Sequence, residues 1–243
     1  MPRLFVVSYT ASGMTRLSES VQDYLKAIFE LHQTTPRVTT NALATRLGVS
    51  AASVTGMVRR LAELGLVEYA PYQGVVLTGS GRRAALEVIR HHRLIELYLT
   101  QALGYSWDEV HAEAERLEHA VSRSFAERIA QLLGDPKVDP HGDPIPSREG
   151  EMPRVSQRTL VEVPSGTALS VQRVRDEDAE VLRRLAALRL FPNTRFVVKA
   201  VDQERGKRVL CLGDGVEIEV EDKLAQHVFV QEETIASSPS SPR

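Results

Sequence analysis

Apolar residues recur at helical spacing over residues 18–33, where Val21, Leu25, Ile28, Phe29 and Leu31 follow a serine cap at Ser18. A break at Pro36 precedes a short predicted helix over about 41–47, a turn at Gly48, and a second helix over 50–64 closed by Gly65. Residues 66–78, LVEYAPYQGVVLT, then alternate around Gln73-Gly74, the pattern of a β-hairpin. Helix, helix, turn, helix and hairpin is the order of a winged helix-turn-helix. Helical spacing resumes over 80–100 and again over 106–133. A Pro/Gly/Asp-rich stretch between 135 and 151, DPKVDPHGDPIPSREGE, marks a boundary. Beyond Arg158 the texture changes to short alternating segments: TLVEV, ALSVQRV, RFVVKAV, RVLCLG and VEIEV, interrupted by one amphipathic helix over about 177–190. Five short strands and one helix predict a small SH3-like β-barrel.

The expected fold class is therefore mainly α with a small β domain. Its parts are a disordered extension (1–13, with Met14 a plausible alternative start), a winged helix (14–78), a helical domain (79–152), an SH3-like domain (153–231) and a Ser/Pro-rich disordered tail (232–243). A hydrophobic content of 42% and a charged content of 26% are those of an ordinary soluble globular protein, and 5% aromatic residues suggest several small cores. The net charge of -2 excludes a polycation, so contact with nucleic acid requires a local basic surface. A single cysteine, Cys211, excludes an internal disulfide framework and fits a reducing cytosol; in the strand-like VLCLG it reads as a small core hydrophobe. No apolar run reaches the roughly 18–20 residues of a membrane span, so the expected location is cytoplasmic, without a membrane partner.

Charge is distributed unevenly. Between Glu30 and Glu63 there is no acidic residue, while Arg37, Arg46, Arg59 and Arg60 all fall there. In the same interval Leu43, Ala44 and Leu47 of one helix face inward with Val54, Val58 and Leu61 of the next, leaving Ser50, Ala51, Ala52, Ser53, Thr55 and Gly56 at the exposed start of the second. Small and hydroxylated residues let a helix sit deep in a major groove and bond phosphates, and the four arginines suit phosphate neutralisation. A solvated basic face on a helical hairpin would show the same charge count, but not the helix-turn-helix spacing followed by a wing.

The later helices carry a different chemistry. In VHAEAERLEH, His111, Glu115, Glu118 and His119 fall at offsets 0, +4, +7 and +8 and so share a face of a continuous helix. His92 and Glu96 are also four apart, and Asp23 lies on or beside the apolar stripe of the first helix, where a lone carboxylate is costly. Histidines and carboxylates on apolar-backed faces are ligands for a divalent first-row metal. The competing reading is a network of i,i+4 ion pairs with Arg93, Arg116 and Arg123. Trp107 reads as a packing residue, and neither a phosphate-binding glycine loop nor a Ser/His/Asp set is recognisable, which argues against an enzyme.

The segments YLKAIFEL, VSAASVTGMVRRLAELGLVEY, LTGSGR, HHRLIE, VHAEAERLEH and DPHGDPIP together make residues 15–230 resemble the diphtheria toxin repressor family of iron- and manganese-dependent transcription regulators. The resemblance implies a winged helix, a dimerisation domain and an SH3-like (FeoA-like) domain. It implies a repressor of metal-uptake genes that binds a palindromic double-stranded operator as a homodimer. It further implies a primary metal site from Asp23, Glu115, Glu118 and His119 and an ancillary site from His92, Glu96 and His111. Third-domain ligands are implied near VRDEDAE, at Asp176, Glu177 or Asp178. His141, in a loop typical of the family, is not expected to be a ligand. Where iron-sensing members place Met and Cys, this chain has Asp23 and Glu115; hard oxygen favours Mn(II), with Fe(II) the alternative. Members that hold a close metal pair carry a carboxylate one turn after the aspartate, where this chain has Lys26, so separate sites are expected. Gly56 stands where some relatives present a long polar side chain to DNA, which shifts weight to DNA shape. Two rivals stay open. One is a winged-helix regulator sensing an organic ligand, which needs an apolar pocket and survives chelation; the other is a helical metalloenzyme, which needs turnover.

Overall fold

A computed structural model describes residues 17–70, 73–175 and 178–232. The extension at 1–13, the tail from 233, two residues of the hairpin turn and the candidate ligands Asp176 and Glu177 lie outside them. The chain forms two compact units: Met1–His91 with Glu118–Val121 and Pro146–Glu151, and His92–Leu117 with Ser122–Ile145 and Met152–Arg243.

In the first unit, α1 (Glu19–His32) buries Val21, Leu25, Ile28 and Phe29, the stripe its spacing predicts. Thr39 caps α2 (Thr40–Leu47) by accepting from the Ala42 amide, and Gly48 ends it at φ 64°, a left-handed conformation that glycine adopts without a Cβ clash. Ser50 then caps α3 (Ala51–Glu63), whose Val54, Val58 and Leu61 are fully buried. The wing is β1 (Val67–Ala70) paired antiparallel with β2 (Gly74–Leu77), and Val38 bridges to Val75, tying the stretch before α2 to the hairpin. The long α4 (Gly79–Leu103) follows.

The region expected to be one helix over 106–133 is two, α5 (Val110–Leu117) and α6 (Arg123–Leu132). Ser122 starts the second by accepting from the Phe125 amide, so residues 118–121 form a turn rather than a continued helix face.

In the second unit a five-stranded antiparallel sheet runs in the order β6-β5-β4-β3-β7, from β3 (Ala168–Val174), β4 (Arg195–Asp202), β5 (Lys207–Leu212), β6 (Glu217–Glu221) and β7 (Val228–Glu232). Its core joins Leu169, Val171, Phe196, Val198 and Leu210 to Leu182 and Leu185 of α7 (Ala179–Ala187). A short α8 (Asp222–Ala225) precedes β7. Two expectations shift. TLVEV is a 3-10 turn, not a strand: the buried Arg208 donates to the carbonyls of Leu160, Val161 and Val163, and Glu162 closes a capping box on Thr159. The fifth strand is instead VFVQE, which pairs with β3.

The loop around His141 is seated on β3. The Val174 amide donates to the His141 carbonyl at 2.9 Å. Gly142, at φ 89°, lies so close that a Cβ there would stand 2.2 Å from the Gln172 carbonyl oxygen.

Candidate metal centres and nucleic-acid interface

The end of α5 at Leu117 sorts the candidate ligands. Glu118 and His119 lie on the turn and meet α1, whereas His111 and Glu115 stay on the helix face that meets α4. On the turn, His119 Nε2 stands 2.9 Å from Asp23 Oδ1 and 3.5 Å from Glu118 Oε1. These three side chains bring donor atoms within 4.8 Å of one another. The other ring nitrogen, Nδ1, lies 3.0 Å from Gln22 Oε1. Gln22 Nε2 donates to the Leu17 carbonyl, which only accepts; this fixes the amide with its oxygen toward the histidine. The proton therefore belongs on Nδ1, and the Nε2 face is turned to Asp23 and Glu118. Glu118 is buried and also receives Lys26 Nζ, at 2.9 Å and 3.2 Å from its two oxygens. Beside Asp23, burial pushes the Tyr24 phenol above its ordinary value.

A second group gathers on α4 and α5. Glu96 is fully buried, and its Oε1 lies 3.0 Å from His92 Nε2 and 3.1 Å from His111 Nδ1. Glu115, placed by the family pattern with Asp23, here has its Oε1 3.7 Å from His111 Nε2 and 4.0 Å from His92 Nδ1. His92, His111 and Glu115 form a ligand-capable set within 4.8 Å.

A third set, Glu96, Asp139 and His141, meets the same distance and is wholly buried. Sequence reasoning set His141 aside and did not single out Asp139. Their signal was a histidine between two aspartates in a proline-rich loop, which reads as loop chemistry until the loop is folded against α4. Asp139 Oδ1 accepts from the His141 and Asp143 amides, and Arg93 reaches both Asp139 and Asp143. His141 Nε2 faces the Trp107 carbonyl at 2.9 Å, leaving Nδ1 toward Glu96 Oε1 at 4.0 Å. The Trp107 ring stacks on His141 with centroids 5.5 Å apart, so the predicted packing residue packs on a ligand-capable one. Asp178 caps α7 through the Glu180 and Val181 amides.

All three sets offer only nitrogen and oxygen, and the one cysteine lies on β5. Hard and borderline donors with one or two anionic members suit a divalent first-row cation.

The nucleic-acid candidates divide by what already holds them. Arg37, Arg59, Arg60, Ala52, Ser53 and Gly56 are exposed. Arg46 is exposed but pairs with Glu30 at 2.7 Å. The Ser50 hydroxyl accepts from the Ser53 amide, and Thr55 donates to the Ala51 carbonyl, so both serve the helix. A Cβ at Gly56 would meet nothing within 4 Å, so packing within the protein gives no reason for a glycine there. Mid-helix glycine costs about 1 kcal/mol relative to alanine.

Three family models match. "Iron dependent repressor, N-terminal DNA binding domain" covers residues 16–75, "Iron dependent repressor, metal binding and dimerisation domain" residues 78–147, and "FeoA domain" residues 158–232. The iron-dependent repressor IdeR of Mycobacterium leprae is 33% identical over 199 residues, spanning 76% of this chain and 86% of its own. A diphtheria toxin repressor from Corynebacterium efficiens is 29% identical over 230 residues, covering 90% and 97%. A solved manganese-dependent transcriptional repressor in complex with manganese superposes with a TM-score of 0.81 at 41% identity, covering 88% of this chain and 100% of that one. The repressor ScaR with bound Cd2+ gives a TM-score of 0.74 at 33% identity, covering 88% and 99%.

Proposed function

The chain belongs to the diphtheria toxin repressor family of metal-dependent transcriptional repressors, and we propose that it represses as a homodimer on a palindromic operator when loaded with Mn(II). The observation that carries the metal choice is the donor chemistry: among the described residues, three ligand-capable sets built from imidazole and carboxylate, none of which includes the cysteine. Oxygen-rich sets favour Mn(II) over softer ions, and geometry and availability select it, since it lies at the weak end of the affinity series. The manganese-dependent solved relatives support this choice; the iron-dependent names among sequence relatives keep Fe(II) as the metal to test against it.

Two centres are proposed. The first uses Asp23, Glu118 and His119, with Glu115 the family's further candidate; the second uses Glu96, with His92 and His111 or with Asp139 and His141. A bound divalent ion supplies positive charge and a fixed coordination geometry at each. Asp23 sits on α1 and Glu118 and His119 on the turn after α5, so the first set joins the DNA-binding segment to the segment that leads into α6. Gln22 orients His119 for that task, while Glu118 is paired with Lys26. Fixing these segments favours the arrangement in which two recognition helices of a dimer lie about one DNA turn, roughly 34 Å, apart. The shift can be no larger than the ion's preference for that arrangement. On α3, Ala52, Ser53 and Gly56 form the low face that enters the groove, while Arg37, Arg59 and Arg60 meet phosphates. The same reading places the protein in the cytoplasm.

A gel-shift titration with an operator selected from random DNA tests this. Mn(II) should support binding, chelation should abolish it, and Asp23→Ala should remove the metal response while leaving a folded dimer. Equal binding with and without chelator would instead point to an organic effector; preference for Fe(II) would overturn the manganese assignment.

A further inference from the structure

Lys26 is an uncommon residue to find where it stands. It is 8% exposed, on α1 one turn beyond Asp23, and it reaches both oxygens of Glu118, itself 1% exposed. Burying an ammonium and a carboxylate is costly unless each compensates the other, and here the distances of 2.9 Å and 3.2 Å supply that compensation. The oxygen nearer His119 is Oε1, which lies 3.5 Å from its Nε2. One Glu118 oxygen therefore faces an ammonium and the histidine nitrogen at once.

We propose that Lys26 is a tethered competitor for the cation: it occupies Glu118 in the metal-free protein, lowers the affinity of the Asp23/Glu118/His119 set, and limits that set to one divalent ion. This rests on the reading of that set as a metal centre and adds what tunes it. A carboxylate has two oxygens, and Lys26 engages both. An incoming ion must take at least Oε1, so its binding includes the loss of part of a buried ion pair. The ammonium then stays beside the ion, because its stem is fixed along α1. Within the set, Asp23 and Glu118 bring two negative charges and Lys26 returns one positive. One dication already brings the set to a net charge of about +1 and a second would bring it to about +3, beside the buried Glu118 carboxylate, where repulsion is less screened than at the surface. Lys26 thereby raises the metal concentration at which the set fills, a property a sensor needs and a storage site does not.

The test is Mn(II) binding to the full chain by calorimetry, with bound ions counted by electron paramagnetic resonance. Asp23→Ala first identifies the binding phase that belongs to this set. In Lys26→Met that phase should tighten at least tenfold with its stoichiometry unchanged, and the metal-free protein should melt at a lower temperature because Glu118 has lost its counter-charge. Lys26→Arg, which keeps the charge, should stay within about threefold of wild type. Lys26→Glu should bind one additional ion per chain. If Lys26→Met does not fold without metal, Lys26→Gln, which keeps a donor but not the charge, gives the same readout. An affinity unchanged or weakened in a folded Lys26→Met or Lys26→Gln overturns the proposal while leaving the metal centre standing. If Asp23→Ala removes no phase, the metal centre itself is wrong, and the role of Lys26 falls with it.

Discussion

Glu96 is the residue both second-centre donor sets need, and replacing it with glutamine tests that centre most directly. Its Oε1 is 3.0 Å from His92, 3.1 Å from His111 and 4.0 Å from His141, and the side chain is fully buried. Glutamine keeps the volume and one carbonyl oxygen but removes the negative charge. Losing a residue that only orients a ligand weakens metal binding by about 10- to 100-fold, so losing an anionic ligand should reach at least about 100-fold. At free Mn(II) one hundred times the wild-type Kd, binding stabilises the fold by about 2.7 kcal/mol; a site 100-fold weaker contributes about 0.4 kcal/mol. The difference of about 2.3 kcal/mol corresponds to about 5–9 °C in Tm for a chain of this size. The metal-free variant should remain folded, since a buried carboxylate is replaced by a neutral isostere. Trp107 provides a local assay: it is the one tryptophan, and it stacks on His141. Mn(II) should quench its fluorescence in the wild type and not in Glu96→Gln at the same concentration. An undiminished quench together with an undiminished rise in Tm would show that no ion is held through Glu96.

Two further predictions address the first centre and the DNA face. Gln22→Ala should weaken the binding phase lost in Asp23→Ala by about tenfold, whereas Gln22→Glu, which keeps an acceptor for His119 Nδ1, should restore it. Nitrogen NMR of the metal-free protein should show the Nδ1 proton of His119 lost from its fixed position only in the alanine variant; identical spectra and affinities would remove Gln22 from the account. Gly56→Ala should raise Tm, by as much as helix propensity allows, about 1 kcal/mol, because its new Cβ meets no protein atom. The same variant should bind operator more weakly in a salt-matched gel shift, and unchanged operator affinity would mean that α3 does not approach DNA closely at Gly56.

Spacing alone located the winged helix because its local signals agree. Thr39 and Gly48 bound α2, Ser50 starts α3 and an apolar stripe through Leu61 runs along it, so the local signals do not conflict. The readings that shifted did so where one side chain outweighs a pattern. TLVEV alternates like a strand, but Arg208, distant in sequence, takes three of its carbonyls and leaves a 3-10 turn. The heptad-like spacing of His111, Glu115, Glu118 and His119 suggested one helix face, but Ser122 starts a new helix and turns Glu118 and His119 toward α1. In the proposed reading that break is what separates the two centres. On an unbroken helix the four would compete for one position, whereas the turn lets His111 and Glu115 serve α4 while Glu118 and His119 serve α1. Asp139 and His141 were beyond periodicity altogether, because the loop carrying them is positioned by contact: Val174 binds the His141 carbonyl, and Gly142 lies against the Gln172 carbonyl. Residue type and spacing thus identify which side chains are chemically able to hold a cation. Capping and close backbone approach decide which of them meet, and those are the steps by which one stretch of histidines and carboxylates is divided into separate ligand-capable sets.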